Sequence, residues 1–94
     1  MPDILAFHPL FSIYLTYKAK THEGIEMSRI QIHLPCLYDR NFEEKANKSI
    51  LYFLDEKCSK DEDRDVLVRK THDLTRRYFD SALIYNIVTK WRKS

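Results

Sequence analysis

The chain contains a single glycine, Gly24, among 94 residues, and this scarcity limits the folds open to it. Average usage would give about six or seven. Glycine supplies the positive φ angles of tight turns and lets a backbone approach a phosphate closely. We therefore expect few tight turns and long secondary-structure elements. The Walker A loop, the dinucleotide-binding Gly-x-Gly-x-x-Gly motif and the kinase Gly-rich loop are all excluded.

The N-terminal third carries two strand patterns. Residues 11–20 alternate strictly between apolar and polar side chains, which is typical of a half-buried strand. A second segment, 25–34, is rich in β-branched residues and follows a four-residue connection that ends in Gly24. Two strands joined in this way predict a β-hairpin over residues 11–34.

The second strand contains one break in its alternation. Ile30 and Ile32 lie on one face, whereas Ile25 and Met27 have the opposite parity. Either a β-bulge near Ser28–Arg29, which would insert one extra residue and bring both sets to the same face, or a half-exposed start of the strand would explain the break.

The rest of the chain has helical periodicity. Pro35 ends the second strand, and Asn41 followed by Glu44 resembles a capping box before a helix over residues 42–57. A second capping signature, Ser59 with Glu62, predicts a further helix over residues 60–92.

That last helix is too long for a chain of this size. At 1.5 Å per residue it would extend roughly 50 Å, whereas a compact chain of 94 residues has a diameter of roughly 32 Å. Either the helix breaks, with Thr71–Asp73 as the predicted place, or its end packs on another molecule.

Together these elements predict an α+β fold. The hairpin packs on two or three helices, the C-terminal helix is long, and residues 1–94 form one domain. A two-stranded hairpin is marginal by itself, so it needs either the helices or a strand from a second copy. Together with the long apolar helix and the small core, this leads us to expect a dimeric chain.

The segment from Tyr78 to Trp91 is the main candidate for a protein interface. Nine of its fourteen positions are apolar, whereas a helix with one buried face needs only about three in seven. We therefore expect the helix to bury a second face on a partner or on a second copy. The predicted interface residues are Tyr78, Leu83, Ile84, Tyr85, Ile87, Val88 and Trp91.

The charge distribution suggests an alternative partner. Residues 41–65 have a net charge of −3 and residues 66–94 a net charge of +5, so one basic helix could follow the phosphates of a nucleic acid. Acidic residues four positions away on the same helix would neutralise part of this charge. The candidate contacts are Arg69, Lys70, Arg76, Arg77, Lys90, Arg92 and Lys93.

Metal sites are not supported by the spacing of acidic, histidine and cysteine residues. Asp61, Asp63 and Asp65 resemble the start of a calcium-binding EF-hand loop, but Val66 and His72 stand where that loop needs glycine and glutamate. An acidic helix N-terminus explains the same residues.

Zinc and catalysis are weakly supported as well. His33 and Cys36 form one closely spaced pair, whereas Cys58 and His72 are fourteen residues apart, and structural zinc sites usually combine two close pairs. Buried thiols explain both cysteines. No nucleophile turn or oxyanion hole is recognisable, so we expect no enzymatic activity, no cofactor, no metal and no small-molecule substrate.

The sequence also predicts a location. Asp3 and the His8–Pro9 pair are not typical of a signal peptide, and no uncharged apolar stretch reaches eighteen residues. We expect a soluble intracellular protein, cytoplasmic or nuclear, with no membrane partner. The predicted function is that of a small regulatory interaction protein, acting as a homodimer or as a subunit of a complex.

Overall fold

A computed structural model describes residues 13–20 and 26–94. These residues form a compact α+β fold with a two-stranded antiparallel hairpin and three helices, which confirms the predicted fold class. The predicted turn residue Gly24 lies outside the described residues. The elements are β1 (Ile13–Lys20), β2 (Glu26–Leu34), α1 (Phe42–Lys57), α2 (Arg64–Leu74) and α3 (Ser81–Lys93).

The hairpin contains a β-bulge, one of the two explanations that the sequence pattern leaves open. Ala19 pairs with Ser28, but the next residue of β1, Lys20, pairs with Glu26. Met27 is therefore the extra residue of β2, adjacent to the predicted position. From Ile13 to Ala19 the register is regular, and β2 ends at Leu34, directly before Pro35.

The two strands are buried to different extents. Ile32 and Leu34 of β2 are completely buried, whereas their partners on β1, Leu15 and Ile13, are only half-buried. The difference arises because helix α1 lies against β2. Among the described elements, β2 is the one whose backbone lies close to that of β1. β1 is thus the outer strand of this hairpin.

Helix α1 has the predicted bounds but not the predicted cap. The Asn41 side chain makes no capping hydrogen bond, because its backbone (φ −104°, ψ 31°) is not extended as a capping residue requires. Asp39 acts at this end instead. Its Oδ1 accepts a hydrogen bond from the backbone N–H of Asn41 (2.8 Å), and its Oδ2 accepts one from Lys45 Nζ (2.5 Å).

The second capping signature forms a turn rather than a helix start. The Glu62 carboxylate accepts a hydrogen bond from the Ser59 backbone N–H (2.8 Å), and Ser59 Oγ accepts one from the Asp61 N–H (3.2 Å). Helix α2 begins only at Arg64, where Asp63 is the cap and accepts from the Asp65 N–H (2.8 Å).

The C-terminal segment forms two helices, α2 and α3, so the first of the two predicted alternatives, a broken helix, is the one observed. The break lies after the predicted position, because Thr71–Asp73 are inside α2, which continues to Leu74. Arg76 and Arg77 then adopt left-handed backbone conformations, with φ of 59° and 57°. The sequence signal was weak because glycine is the usual residue for such a helix end.

Side-chain and backbone groups fix this break. Thr75 Oγ1 donates to the Thr71 carbonyl (2.7 Å), and the Arg77 N–H donates to the His72 carbonyl. Asp80 then caps α3 by accepting from the Ala82 N–H (3.3 Å). The chain reverses direction between these two caps.

The reversal makes α2 and α3 antiparallel neighbours. Arg64, at the start of α2, lies over the ring of Tyr85, and Lys60, just before α2, lies over the ring of Trp91. The described structure is 40 Å in its longest dimension, shorter than the roughly 50 Å of one unbroken helix. Both helices therefore contribute to the core formed with α1 and β2.

None of the helices described here is both long enough and apolar enough to cross a membrane. The longest of them, α1, has 16 residues, whereas a span needs about 20. The cellular compartment stays a prediction.

Replacing either left-handed arginine by glycine should stabilise the protein. A left-handed residue with a Cβ atom costs roughly 1–2 kcal/mol, and glycine removes that cost at a smaller penalty in backbone entropy. We expect Arg76→Gly and Arg77→Gly each to raise the free energy of unfolding by about 0.5–1 kcal/mol, measured by urea denaturation.

The matched control is Arg69→Gly, which removes the same charge from an exposed position inside α2. It should lower the free energy of unfolding by about 1 kcal/mol. A decrease of the same size in all three variants would contradict the assignment of strain to Arg76 and Arg77.

Candidate interaction surface

Most of the predicted interface residues lie in the core of this chain. Tyr78, Ile84, Ile87, Val88 and Trp91 are all buried. The second apolar face of the segment from Tyr78 to Trp91 is thus covered from within the chain, because α3 folds back between α2 and α1. Leu83 is half-buried, and only Tyr85 is exposed, at 39%.

The polar groups of Tyr78 and Trp91 both form hydrogen bonds inside the protein. The Tyr78 hydroxyl donates a hydrogen bond to the Pro35 carbonyl (2.5 Å), and burial raises the pKa of Tyr78. The Trp91 indole Nε1–H donates to Asp55 Oδ1 (2.7 Å). A buried tyrosine or tryptophan normally finds such a partner, so both side chains are explained by the fold alone.

An open groove of about 370 Å³ lies between α2 and α3. Val68 of α2 forms one wall, and Ala82 and Tyr85 of α3 form the other, with the polar side chains of Ser81 and Asn86 at the margin. Ala82 and Tyr85 are exposed and Val68 is half-buried. This is the apolar surface that the predicted interface segment still presents to solvent.

A cation lies at one end of this groove. The Arg64 guanidinium lies 4.6 Å from the centre of the Tyr85 ring, within the range of a cation–π interaction. Arg64 Nε is buried without a hydrogen-bond partner, at 3.8 Å from Asp65 Oδ1. Sequence analysis missed this contact because Arg64 and Tyr85 are distant in sequence and lie on different helices.

The predicted nucleic-acid contacts do not lie along one helix. Arg69 is exposed on α2, and Arg76 and Arg77 are exposed at the turn that follows it. Lys70, also on α2, is occupied within the chain. Its Nζ lies 3.7 Å from a Glu62 carboxylate oxygen and donates to the Lys57 carbonyl (3.3 Å).

The remaining three basic residues, Lys90, Arg92 and Lys93, are exposed at the other end of the antiparallel pair, in the last turn of α3. Here the acidic part of the chain is close. Trp91 contacts Asp55, and Lys60 Nζ donates to the carbonyl oxygen of Ser94 (2.7 Å). The last turn of α3 therefore lies beside the end of α1 and the connection between α1 and α2.

The cysteine, aspartate and serine side chains considered for metal binding or catalysis occupy ordinary structural positions in the fold. Cys36 and Cys58 are free thiols and half-buried, and burial raises the pKa of Cys58 against the opposing charge of Lys70. Asp63 and Ser59 form the turn and cap at the start of α2. Within residues 13–20 and 26–94, no three histidine, cysteine, aspartate or glutamate side chains are grouped as a metal site would require.

The outer face of the hairpin carries a second aromatic surface. Tyr14 stacks on His33 of the neighbouring strand, with ring centres 5.0 Å apart. Burial lowers the pKa of His33, and the positive charge of Lys45 lowers it further, while Asp39 opposes the shift. The folded protein therefore holds this imidazole in its neutral form to a lower pH than the unfolded chain does.

Stability should consequently depend on pH through His33. Its pKa is lower in the folded state, so the unfolded state binds more protons below the ordinary histidine value of about 6.5. We expect the free energy of unfolding to fall as the pH decreases from about 6.5 towards the lower pKa of the folded state. His33→Gln should show a smaller decrease over this range, measured by urea unfolding at a series of pH values.

Gln31→Asn provides the control, because it exchanges one neutral side chain for another at an exposed position of β2, two residues before His33. Its decrease over the same pH range should match that of the unmodified protein more closely than the decrease of His33→Gln does. An NMR titration that gives His33 a pKa above 6.5 would contradict the assignment.

Comparison of the chain with models of known protein families, with curated proteins and with solved structures found no match. Its function is therefore inferred from its own surface.

Proposed function

We propose that this chain is a small, non-enzymatic interaction and regulatory protein that acts as a homodimer or as a subunit of a protein complex. The observation that carries the proposal is the groove between α2 and α3, where Val68, Ala82 and Tyr85 present apolar surface to solvent. Apolar surface that is concave and edged by polar groups is typical of an interaction site.

The composition of the groove fits a protein partner. Tyrosine and arginine are enriched among residues that dominate binding energy, because each combines a large contact area with a polar group. Tyr85 and Arg64 stand together here, and Arg64 Nε has no hydrogen-bond partner within the described chain. A partner that covers the groove would bury Tyr85 and supply an acceptor to Arg64.

The proposal differs in one respect from what the sequence predicts. The sequence pattern assigns the contact to seven of the apolar residues between Tyr78 and Trp91. With five of them in the core, the contact on α3 reduces to the exposed Tyr85 and the half-buried Leu83. α2 adds Val68 as the opposite wall of the groove.

Filling the groove should disrupt association without unfolding the protein. Ala82 is exposed on a helix, so Ala82→Arg adds a bulky charged side chain there at little cost to helix propensity. We expect binding of the partner that covers the groove to weaken at least tenfold, measured by quantitative affinity purification from the natural source, or by sedimentation velocity where that partner is a second copy.

Asn47→Arg is the matched control, since it introduces the same charge at an exposed position of α1. It should leave both measurements unchanged. The proposal is wrong if the native protein is monomeric and its co-purifying proteins are the same with both variants.

A second candidate function is nucleic-acid binding by the arginines near the α2–α3 turn. Arg76 and Arg77 have a left-handed backbone, which glycine would adopt with less strain, and both side chains are exposed. Backbone strain of this kind is often kept where the side chains have a use. Arg69, seven residues before Arg76, adds a third exposed guanidinium on α2.

Salt dependence tests this second candidate. Three phosphate contacts predict that the logarithm of the affinity for duplex DNA falls with the logarithm of salt concentration at a slope of about −3. We expect serine at Arg69, Arg76 and Arg77 to abolish binding in a fluorescence-anisotropy titration. Serine at Lys90, Arg92 and Lys93, which removes the same charge, should have a smaller effect.

Equal losses in the two triple variants would indicate a response to net charge alone. Absence of binding to both DNA and RNA at 50 mM salt, a condition that favours phosphate contacts, would exclude this candidate.

A further inference from the structure

The outer edge of β1 has no partner strand among the described residues, where the sheet consists of β1 and β2 alone. Natural proteins usually protect such an edge with charges, proline, a bulge or a covering element. The five residues from Ile13 to Tyr17 contain neither a charge nor a proline. The two lysines of the strand, Lys18 and Lys20, and the bulge all lie at its turn end.

The face of β1 towards the core is also incompletely covered. Ile13, Leu15 and Tyr17 are half-buried although they stand in register with completely or nearly completely buried residues of β2. Side chains of this face reach the core, as Tyr17 does at Phe53 of α1, with ring centres 6.1 Å apart, but the backbone of β1 lies close only to that of β2 among the described elements. The apolar layer under the sheet therefore continues past the helices, to the edge of β1.

We propose that β1 pairs antiparallel with β1 of a second copy of this chain, about a two-fold axis at Thr16, so that two hairpins form one four-stranded sheet. The inference rests on the homodimer form of the proposed function, but not on the groove between α2 and α3. It names a different surface of the molecule as the site of self-association.

The sequence of β1 is complementary to itself in this register. Thr16 faces Thr16 of the second copy, and Leu15 faces Tyr17 on the core side of the sheet, twice by symmetry. On the outer side Tyr14 stands opposite Lys18 at the level of the backbone, so no two lysines oppose each other. Threonine pairs and aliphatic–aromatic pairs are favourable across antiparallel strands, whereas facing like charges are unfavourable.

The register also keeps each face of the sheet continuous. Opposed residues in an antiparallel pair point to the same side, so residues 13, 15 and 17 of one copy must stand opposite odd-numbered residues of the other. A two-fold axis through Thr16 meets this condition. The half-buried side chains of the two copies then lie next to each other over one continuous apolar layer, which is the isologous contact typical of homodimers.

A cysteine crosslink tests the register directly. In a variant with Cys36 and Cys58 replaced by serine, Thr16→Cys should give a disulfide-linked dimer on mild oxidation, because opposed Cα atoms lie about 4.5–5.5 Å apart and disulfides span such distances. Gln31→Cys is the matched control. Gln31 lies opposite Thr16 on β2, one strand further from the axis. The Cα atoms of residue 31 in the two copies are therefore roughly 14 Å apart.

A charge at the axis tests the contribution of the same edge to affinity. Thr16 and Gln31 are both exposed, so lysine at either position leaves the core unchanged, and melting curves verify that the variants fold. Thr16→Lys places two lysines opposite each other and should weaken dimerisation about fivefold or more in sedimentation equilibrium. Gln31→Lys should weaken it less.

The outcomes separate this inference from the proposed function. A monomer at all concentrations up to 100 µM, or a dimer that crosslinks equally well through residue 31, overturns the pairing of β1. A dimer disrupted by Ala82→Arg but not by Thr16→Lys also overturns it, while the groove proposal stands. The reverse result supports β1 pairing and removes the groove from self-association.

Discussion

The reversal of the chain at Arg76 and Arg77 is the feature on which the rest of the helical layer depends. Two successive left-handed residues end α2, and the Asp80 cap starts α3 within a few residues. This turn brings α3 back along α2, so that Ile84, Val88 and Trp91 become core residues of the same chain. Without it, the same side chains would need an external partner.

The reversal also decides where the charges meet. In sequence, the acidic middle and the basic end are separate blocks, with net charges of −3 and +5. In the fold, the last turn of α3 lies beside the acidic connection between α1 and α2, joined by the Trp91–Asp55 and Lys60–Ser94 hydrogen bonds. Arg76 and Arg77 lie at the opposite end of the helix pair, where Arg77 Nε donates to Asp73 Oδ1 (3.3 Å).

The two strands of the hairpin are covered unequally by the helices. α1 covers β2, which buries Ile32 and Leu34 completely, whereas β1 reaches the helical layer through side chains such as Tyr17, at Phe53 of α1, and keeps its apolar side chains half-buried. A chain of this length buries a smaller fraction of its surface than a large domain does. The groove between α2 and α3 and the strand β1 are two of the places where apolar surface remains exposed or half-buried.

Local patterns were sufficient to predict the hairpin, the end of β2 at Pro35 and the bounds of α1, because each depends on alternation, periodicity or a proline within a few residues. They indicated a bulge only as one of two alternatives, and they placed the helix break too early, since Arg76 and Arg77 carry no glycine-like signal for a left-handed backbone. They also failed at Asn41, whose cap depends on the fold of the preceding turn at Asp39.

The sequence by itself thus determined the fold class, the types of the secondary-structure elements and the amount of apolar surface to be buried. Only the tertiary structure decided which of that surface stays exposed. Burial of Tyr78 and Trp91 depends on contacts with Pro35 and Asp55, which are 43 and 36 residues away in sequence. Periodicity along one helix specifies how many of its faces are apolar, but not which element covers each face.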